Sequence, residues 1–243
     1  MRKKAVLSVS GGMDSTGLLL NLLSKDFDVS VLSFNYGQKH KVELERLKSN
    51  ILYLKTKNII VEHTIMDLSD VMSKFNSALT SSDIEVPEGH YAQDNMKLTV
   101  VPNRNAIFSS IVYGYALSLA TKNNTDVTIG LGVHSGDHTI YPDCRQDFFD
   151  AIENAFRIGN WESEKVNYYL PYIKEDKFYI LKDSIESCKI LDLEFDTIFR
   201  NTNTCYNPTE EGLSCGKCGS CSERLEAFTF LNRKDPVIYK GDK

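Results

Sequence analysis

The sequence lacks any apolar run approaching the roughly 20 residues a membrane-spanning helix needs. Met1-Arg2-Lys3-Lys4 followed by Ala5-Val6-Leu7-Ser8-Val9 has the outline of a signal peptide, but the apolar run is too short and Gly11-Gly12-Met13-Asp14 interrupts it. A buried first strand is the better reading, with the cytoplasm as the expected location and no membrane partner. There is no excess of basic residues: 28 Lys and Arg stand against 33 Asp and Glu, a formal net charge of −5. Phosphate-backbone binding draws on clustered Lys and Arg, so no nucleic-acid partner is expected. Internal repeats, low-complexity tracts and a clear interdomain linker are missing too. So is a Gly-Lys-Ser/Thr sequence, which excludes a Walker A phosphate site.

What is present is a 243-residue chain, 42% hydrophobic, enough for one sizeable core and a small appendage. Short β-prone runs at 4–10, 28–34 and 58–62 alternate with helical periodicity over 15–24 and 40–56. This β-α-β-α-β order predicts an α/β fold, a parallel twisted sheet with helices on both faces. Residues 66–101 are the least regular and read as an excursion over the active face. A long helix is expected over 103–121, a buried strand over 126–133, and further helices over 146–157 and 177–191. From Asn201 the chain turns rich in Cys, Gly, Asn and Thr. The expected division is therefore a nucleotide-binding catalytic domain over 1–200 and a small module over 201–243.

The first strand runs into Val9-Ser10-Gly11-Gly12-Met13-Asp14-Ser15-Thr16 and then a helix. Glycines let backbone approach a phosphate, and the first helical N–H groups with the positive end of the dipole point at it. Ser10 and Ser15 add hydroxyls, and Asp14 is placed to hold Mg²⁺ against the phosphates. The plainer reading is a strand–turn–helix corner with Asp14 as cap. The loop resembles that of the PP-loop ATP pyrophosphatases, which adenylate a carboxyl or carbonyl oxygen and release pyrophosphate.

Cys205, Cys215, Cys218 and Cys221 form a C-x9-C-x2-C-x2-C array. Two-residue gaps let thiolates converge on one tetrahedral ion, and four thiolates close its coordination, which makes Zn²⁺ structural. An iron–sulfur cluster fits the same ligands, and two disulfides are the bland alternative; a reducing compartment disfavours the latter. Cys188 reads as a core filler.

Five segments, in order, resemble the 7-cyano-7-deazaguanine synthase family. They are the loop 9–16, Phe34-Asn35-Tyr36-Gly37-Gln38-Lys39-His40, Val101-Pro102-Asn103-Arg104-Asn105, Tyr141-Pro142-Asp143-Cys144-Arg145, and Asn203 to Asn207 with the later cysteines and Arg224. Two departures stand out. Asn103 replaces the family's usual Gly, and Gly132-Val133-His134-Ser135-Gly136-Asp137-His138 replaces its commoner Gly-Val-x-x-x-Asp-Phe-Ser-Gly.

The resemblance implies an adenine nucleotide alpha-hydrolase-like, Rossmann-like fold with a zinc module packed on it, and a homodimer. It implies ATP-dependent conversion of 7-carboxy-7-deazaguanine and ammonia to 7-cyano-7-deazaguanine, the queuosine and archaeosine precursor, through an adenylated carboxylate and an amide. Free ammonia is the expected nitrogen source, since no glutaminase domain is visible. The alternative is a relative from a bacterial defence operon that joins a deazaguanine or similar group to a protein terminus.

On this footing Asp14, Ser15, Lys177 and Arg104 are the catalytic candidates. Lys177, in Pro171-x5-Lys177, lies where PP-loop enzymes often carry a phosphate-binding lysine; an ordinary exposed helix-start lysine is the competing reading. Arg104 and Arg145 are candidates to clamp carboxylate or phosphate, with Arg145 also suited to an ion pair with Asp143. Asp143 is a candidate for the guanine-like N–H edge, Phe34 or Tyr36 for stacking, and Tyr141, His134 and His138 for substrate contact. Two other classes compete: tRNA modification, which the acidic chain opposes, and a non-catalytic zinc module, which leaves the phosphate loop without a purpose.

Overall fold

A computed structural model describes residues 2–81, 83–89 and 94–242. Five parallel strands form one sheet in the order β3-β2-β1-β4-β5. They are β1 (Lys4–Ser8), β2 (Asp28–Asn35), β3 (Glu62–Asp67), β4 (Val127–Leu131) and β5 (Val166–Tyr169). The helices are α1 (Met13–Ser24), α2 (Val42–Thr56), α3 (Ser69–Met72), α4 (Arg104–Asn123), α5 (Gln146–Gly159), α6 (Lys177–Ile190), α7 (Phe195–Arg200) and α8 (Gly219–Phe230).

The alternation of β1 explains the layering. Ala5, Leu7 and Val9 point into one core with Leu18 and Leu22 of α1, Leu47 and Leu54 of α2, and Ile180 of α6. Val6 points the other way, into a second core with Val112 and Ala116 of α4 and Phe149 of α5. Each face of a central parallel strand is thus covered by helices. The expected α/β sheet with helices on both faces is what forms.

The strand order reverses between β1 and β4, because β2 and β3 lie on one side of β1 and β4 and β5 on the other. At such a switch point the loops leaving the carboxyl ends diverge and open a crevice. Here those loops are the phosphate loop after β1 and residues 132–135 after β4. Gly132 lets them meet: a Cβ there would lie 3.0 Å from the Ser15 backbone N.

Some boundaries differ from the sequence reading. The third strand runs over Glu62–Asp67, not 58–62. Asn58 takes a left-handed φ of 60° that ends α2, so Ile59 and Val61 serve the core as a link, and the polar run after them pairs with β2 at the sheet edge. Helix α1 begins at Met13 with Gly12 as cap, leaving Asp14 in the first turn and not at the cap. The short elements β5, α7 and α8 carry no clear period of their own. Within the irregular stretch, Ser82 and residues 90–93 lie outside the described residues.

Residues 201–242 share both cores: Ala227 and Phe228 pack in the first, Cys205, Cys218 and Cys221 in the second. Arg224, fully buried, anchors them. It donates from Nε and Nη2 to both Asp235 oxygens (2.6 and 2.9 Å), from Nη1 to the hydroxyls of Thr202 and Thr204, and from Nη2 to the Phe199 carbonyl. A planar donor fork matched to a carboxylate is the geometry Arg supplies and Lys does not. Replacing Arg224 by Met strands the buried Asp235 charge, so urea denaturation should show a loss of about 3–5 kcal/mol.

Candidate active site

The loop after β1 is built to leave donors free. Gly11 adopts φ +99°, and a Cβ there would sit 2.0 Å from the Glu43 carbonyl oxygen. Gly12 caps α1 without a side chain, so the helix N-terminus keeps its first N–H groups for a ligand. Ser10 and Ser15 brace the turn through Gly12 N–H to Ser10 Oγ (3.1 Å) and Ser10 N–H to Ser15 Oγ (3.3 Å). The Asn203 N–H donates to the Gly11 carbonyl at 3.0 Å, tying the cysteine-rich segment to the loop. Of the predicted loop residues, Val9, Ser10, Gly12, Asp14 and Ser15 line the cleft. Gly11 packs on α2, while Met13 and Thr16 are buried behind.

Asp14 and Lys177 meet at this point. Asp176 caps α6 by accepting from the Tyr179 N–H (2.8 Å), which makes Lys177 the first residue of the helix and aims it inward. Lys177 is buried, not exposed, and its Nζ donates to Asp14 Oδ2 at 2.8 Å. Burial opposes both charges. The partners win: Lys177, then His134, hold the Asp14 carboxyl below its ordinary range, while Asp14, Glu223 and Asp137 hold the Lys177 ammonium above its own. Asp14 Oδ1 is buried with no hydrogen-bond partner among the described residues. An oxygen with an open lone pair beside free helical N–H groups suits a hard cation shared with phosphates.

His134 stands behind this pair. Its Nε2 lies 2.7 Å from Lys177 Nζ and 3.4 Å from Asp137 Oδ2, and its Nδ1 accepts from the Gly136 N–H at 3.1 Å. Glu223 of α8 reaches Lys177 at 3.5 Å, and burial raises its carboxyl pKa.

The opposite wall is aromatic. Phe34 stacks on Phe108 with centroids 4.1 Å apart, and Tyr36 meets Phe108 edge-on at 5.6 Å. Arg104 projects from the start of α4 into the same cleft, bonded to Asn105 Oδ1 and with no carboxylate partner among the described residues. The preceding Asn103 explains its departure from glycine: it holds φ 58° and ψ 16°, the left-handed region that Asn tolerates best after Gly. Tyr141 is buried beneath, hydrogen-bonded to Thr99 (2.6 Å) and Tyr206 (3.4 Å). Asp143, Arg145 and His138 lie off the cleft lining; Arg145 is exposed and its Nε donates to the His138 carbonyl at 2.9 Å. Residues that sequence reasoning passed over also line the cleft, among them His40, Glu43, Phe108, Asp137, Tyr206 and Ser220. His40 and Tyr206 sit inside matched segments and Asp137 inside the departing segment 132–138, which were the available signals.

Beside the cleft the Sγ atoms of Cys205, Cys215, Cys218 and Cys221 all lie within 4.8 Å of one another. Backbone N–H groups of Asn207 and Cys215 point at Cys205 Sγ (3.3 and 3.2 Å), and those of Lys217 and Cys218 at Cys215 Sγ (both 3.4 Å). Donors on these two sulfurs favour their thiolates, and four converging sulfurs suit a tetrahedral zinc with bonds of about 2.3 Å. No helix among the described residues is long and apolar enough to cross a membrane.

A Colwellia psychrerythraea protein named 7-cyano-7-deazaguanine synthase 2 is 43% identical over 98% of this chain and 99% of its own. A Pseudoalteromonas translucida protein named 7-cyano-7-deazaguanine synthase is 41% identical over 99% of this chain and 100% of its own. A solved 4-thiouridine synthetase–RNA complex with bound ATP is similar at 16% identity and a TM-score of 0.47, covering 92% of this chain and 50% of that one. The family model described as "Queuosine biosynthesis protein QueC" matches residues 4–232, and the chain belongs to that family.

Proposed function

We propose that this chain converts 7-carboxy-7-deazaguanine and ammonia to 7-cyano-7-deazaguanine with ATP, as a ligase. The observation that supports it best is the joining, in one cleft, of the Asp14–Lys177 phosphate site with an aromatic wall and Arg104, which has no carboxylate partner among the described residues. One side suits a triphosphate, the other a flat base carrying a carboxylate. Likeness to synthases along their whole length favours the free acid over a protein terminus as the acceptor.

In this reading the chain mainly positions and neutralises. Arg104 orients the substrate carboxylate toward the α-phosphorus of ATP. The N–H groups at the start of α1, Ser15 Oγ and Lys177 Nζ take up the charge that develops on the departing pyrophosphate. Asp14, through its open Oδ1, is the residue to hold Mg²⁺, which supplies further neutralisation of the phosphates. Ammonia then displaces AMP to give an amide, and a second activation on the amide oxygen leaves the nitrile. Phe34, Tyr36 and Phe108 form the wall for the base, and Tyr141 supports them from below through Tyr206. His134 and Asp137 set the position of Lys177. Zinc on the four thiolates is a structural ion that fixes α8 and the strand-like segment before it. Free ammonia as donor, the cytoplasm as compartment and a homodimer as assembly belong to the same proposal.

Incubation with 7-carboxy-7-deazaguanine, an ammonium salt and Mg-ATP should give the nitrile by mass spectrometry. ATP turnover without that product would overturn the reading. Lys177→Met should lower acid-dependent pyrophosphate release by about 10²–10³-fold, the usual loss of one preorganised charge donor. Zinc analysis should find one ion per chain, and its removal by a strong chelator should lower the thermal midpoint by more than about 5 °C.

A further inference from the structure

Three carboxylates line the cleft on the described residues, and two have evident partners: Asp14 pairs with Lys177, and Asp137 faces His134. The third, Glu43 near the start of α2, has no ammonium or guanidinium within ion-pair distance among the described residues; its one imidazole neighbour is His40. It is buried, and its Oε1 accepts from Gln38 Nε2 at 3.0 Å. Gln38 is itself fixed, accepting from the Tyr36 N–H (2.9 Å) and donating to the Phe34 carbonyl (3.1 Å). His40 Nε2 lies 3.6 Å from Glu43 Oε1, but burial, with the nearby Arg104 charge, pushes the His40 pKa down to about 3 and keeps it neutral. Ser10 of the phosphate loop also hydrogen-bonds the carboxyl, and Arg104 acts on it across the cleft. Glu43 therefore stands where the nucleotide side meets the substrate side, held on one oxygen by a rigid amide.

We propose that Glu43 is the proton acceptor for the nitrogen that enters the acyl adenylate. The assignment rests on the deazaguanine reading given above. In the step, the ammonia lone pair forms the C–N bond. The C–O bond to the adenylate breaks, and its electron pair leaves on the phosphate oxygen of AMP. One proton passes from nitrogen to the Glu43 carboxylate, so the amide is neutral when it forms. The proton leaves to water before the next turnover.

The surroundings give this a pH signature. Burial pushes the Glu43 carboxyl up to about 8, so the accepting form grows as pH rises toward that value and saturates above it. The other charged groups that face it do not change over that range: His40 is neutral well below it, Arg104 stays charged, and burial holds the Tyr36 phenol above its ordinary value. Across the cleft Asp14 is shifted down and Lys177 up, so both keep their charge.

The test uses the full chain with Mg-ATP and 7-carboxy-7-deazaguanine, wild type beside Glu43→Gln. Two readings are taken: acid-dependent ATP–pyrophosphate exchange without ammonia, and amide plus nitrile formation at a fixed concentration of unprotonated ammonia from pH 6 to 9. Wild type should form product at a rate climbing about tenfold per pH unit below pH 8, while exchange stays flat. Glu43→Gln should keep exchange within about threefold and lose product formation by about 10²–10⁴-fold, with the climb abolished. Retained exchange also shows that the variant is folded. Product at the wild-type rate, or a climb that survives in Glu43→Gln, would overturn the assignment alone. So would exchange lost in step with product, with Glu43→Asp restoring neither, since that marks a structural role. Wild type that exchanges but forms no amide or nitrile would sink the deazaguanine reading and Glu43's role with it.

Discussion

The ion pair between Asp14 and Lys177 is the constraint around which the cleft is arranged. A buried pair of opposite charges costs desolvation on both sides and persists only where geometry and further polar partners offset it. Here the pair and its partners come from four separate stretches of chain. Asp14 belongs to the first turn of α1, Lys177 to the first turn of α6, His134 and Asp137 to the segment after β4, and Glu223 to α8. The pair therefore ties together four segments that meet at the carboxyl edge of the sheet. It also leaves one Asp14 oxygen without a hydrogen-bond partner among the described residues.

The cysteine-rich segment belongs to the same arrangement. Asn203 bonds the phosphate loop, Thr204, Tyr206 and Ser220 line the cleft, and Glu223 reaches Lys177. Arg224, one residue on, is fixed by Asp235, Thr202 and Thr204. Neighbouring residues of α8 thus carry a structural anchor and a contact to the phosphate site. Cys218 caps α8 and Cys221 lies in its first turn, so a metal on these thiolates would sit at the start of the helix that carries Glu223 and Arg224.

How far the fold was legible depended on the kind of signal. The phosphate loop and the four cysteines were readable because each chemistry fixes residue types at fixed spacing. Strands β1, β2 and β4 were readable as short runs rich in Val, Leu and Ile, as expected for strands covered on both faces. The edge strand β3 was misplaced by a few residues, because its true span, Glu62–Asp67, is half exposed and polar, whereas Ile59-Ile60-Val61 looks more strand-like. Glu43 and Phe108 escaped notice for a different reason. Each sits inside an ordinary amphipathic helix, and only the tertiary meeting of α2, α4 and the loop makes them part of a cleft.

The departure at residues 132–138 has a physical meaning once placed. Substitutions in a segment after β4 could act on the base or on the phosphates, and the sequence pattern does not say which. In the fold His134 is buried behind Lys177, its Nδ1 taken by the Gly136 N–H and its Nε2 turned to Lys177 and Asp137. Gly136 lies against Glu223, where a Cβ would come within 2.7 Å of Oε1. His138 and the exposed Arg145 sit outside the cleft lining. The variation is therefore concentrated on the support of the phosphate-side lysine. Phe34, Tyr36 and the Arg104 guanidinium come from two of the matched segments, and Asn103, in place of Gly, keeps the left-handed turn that precedes Arg104.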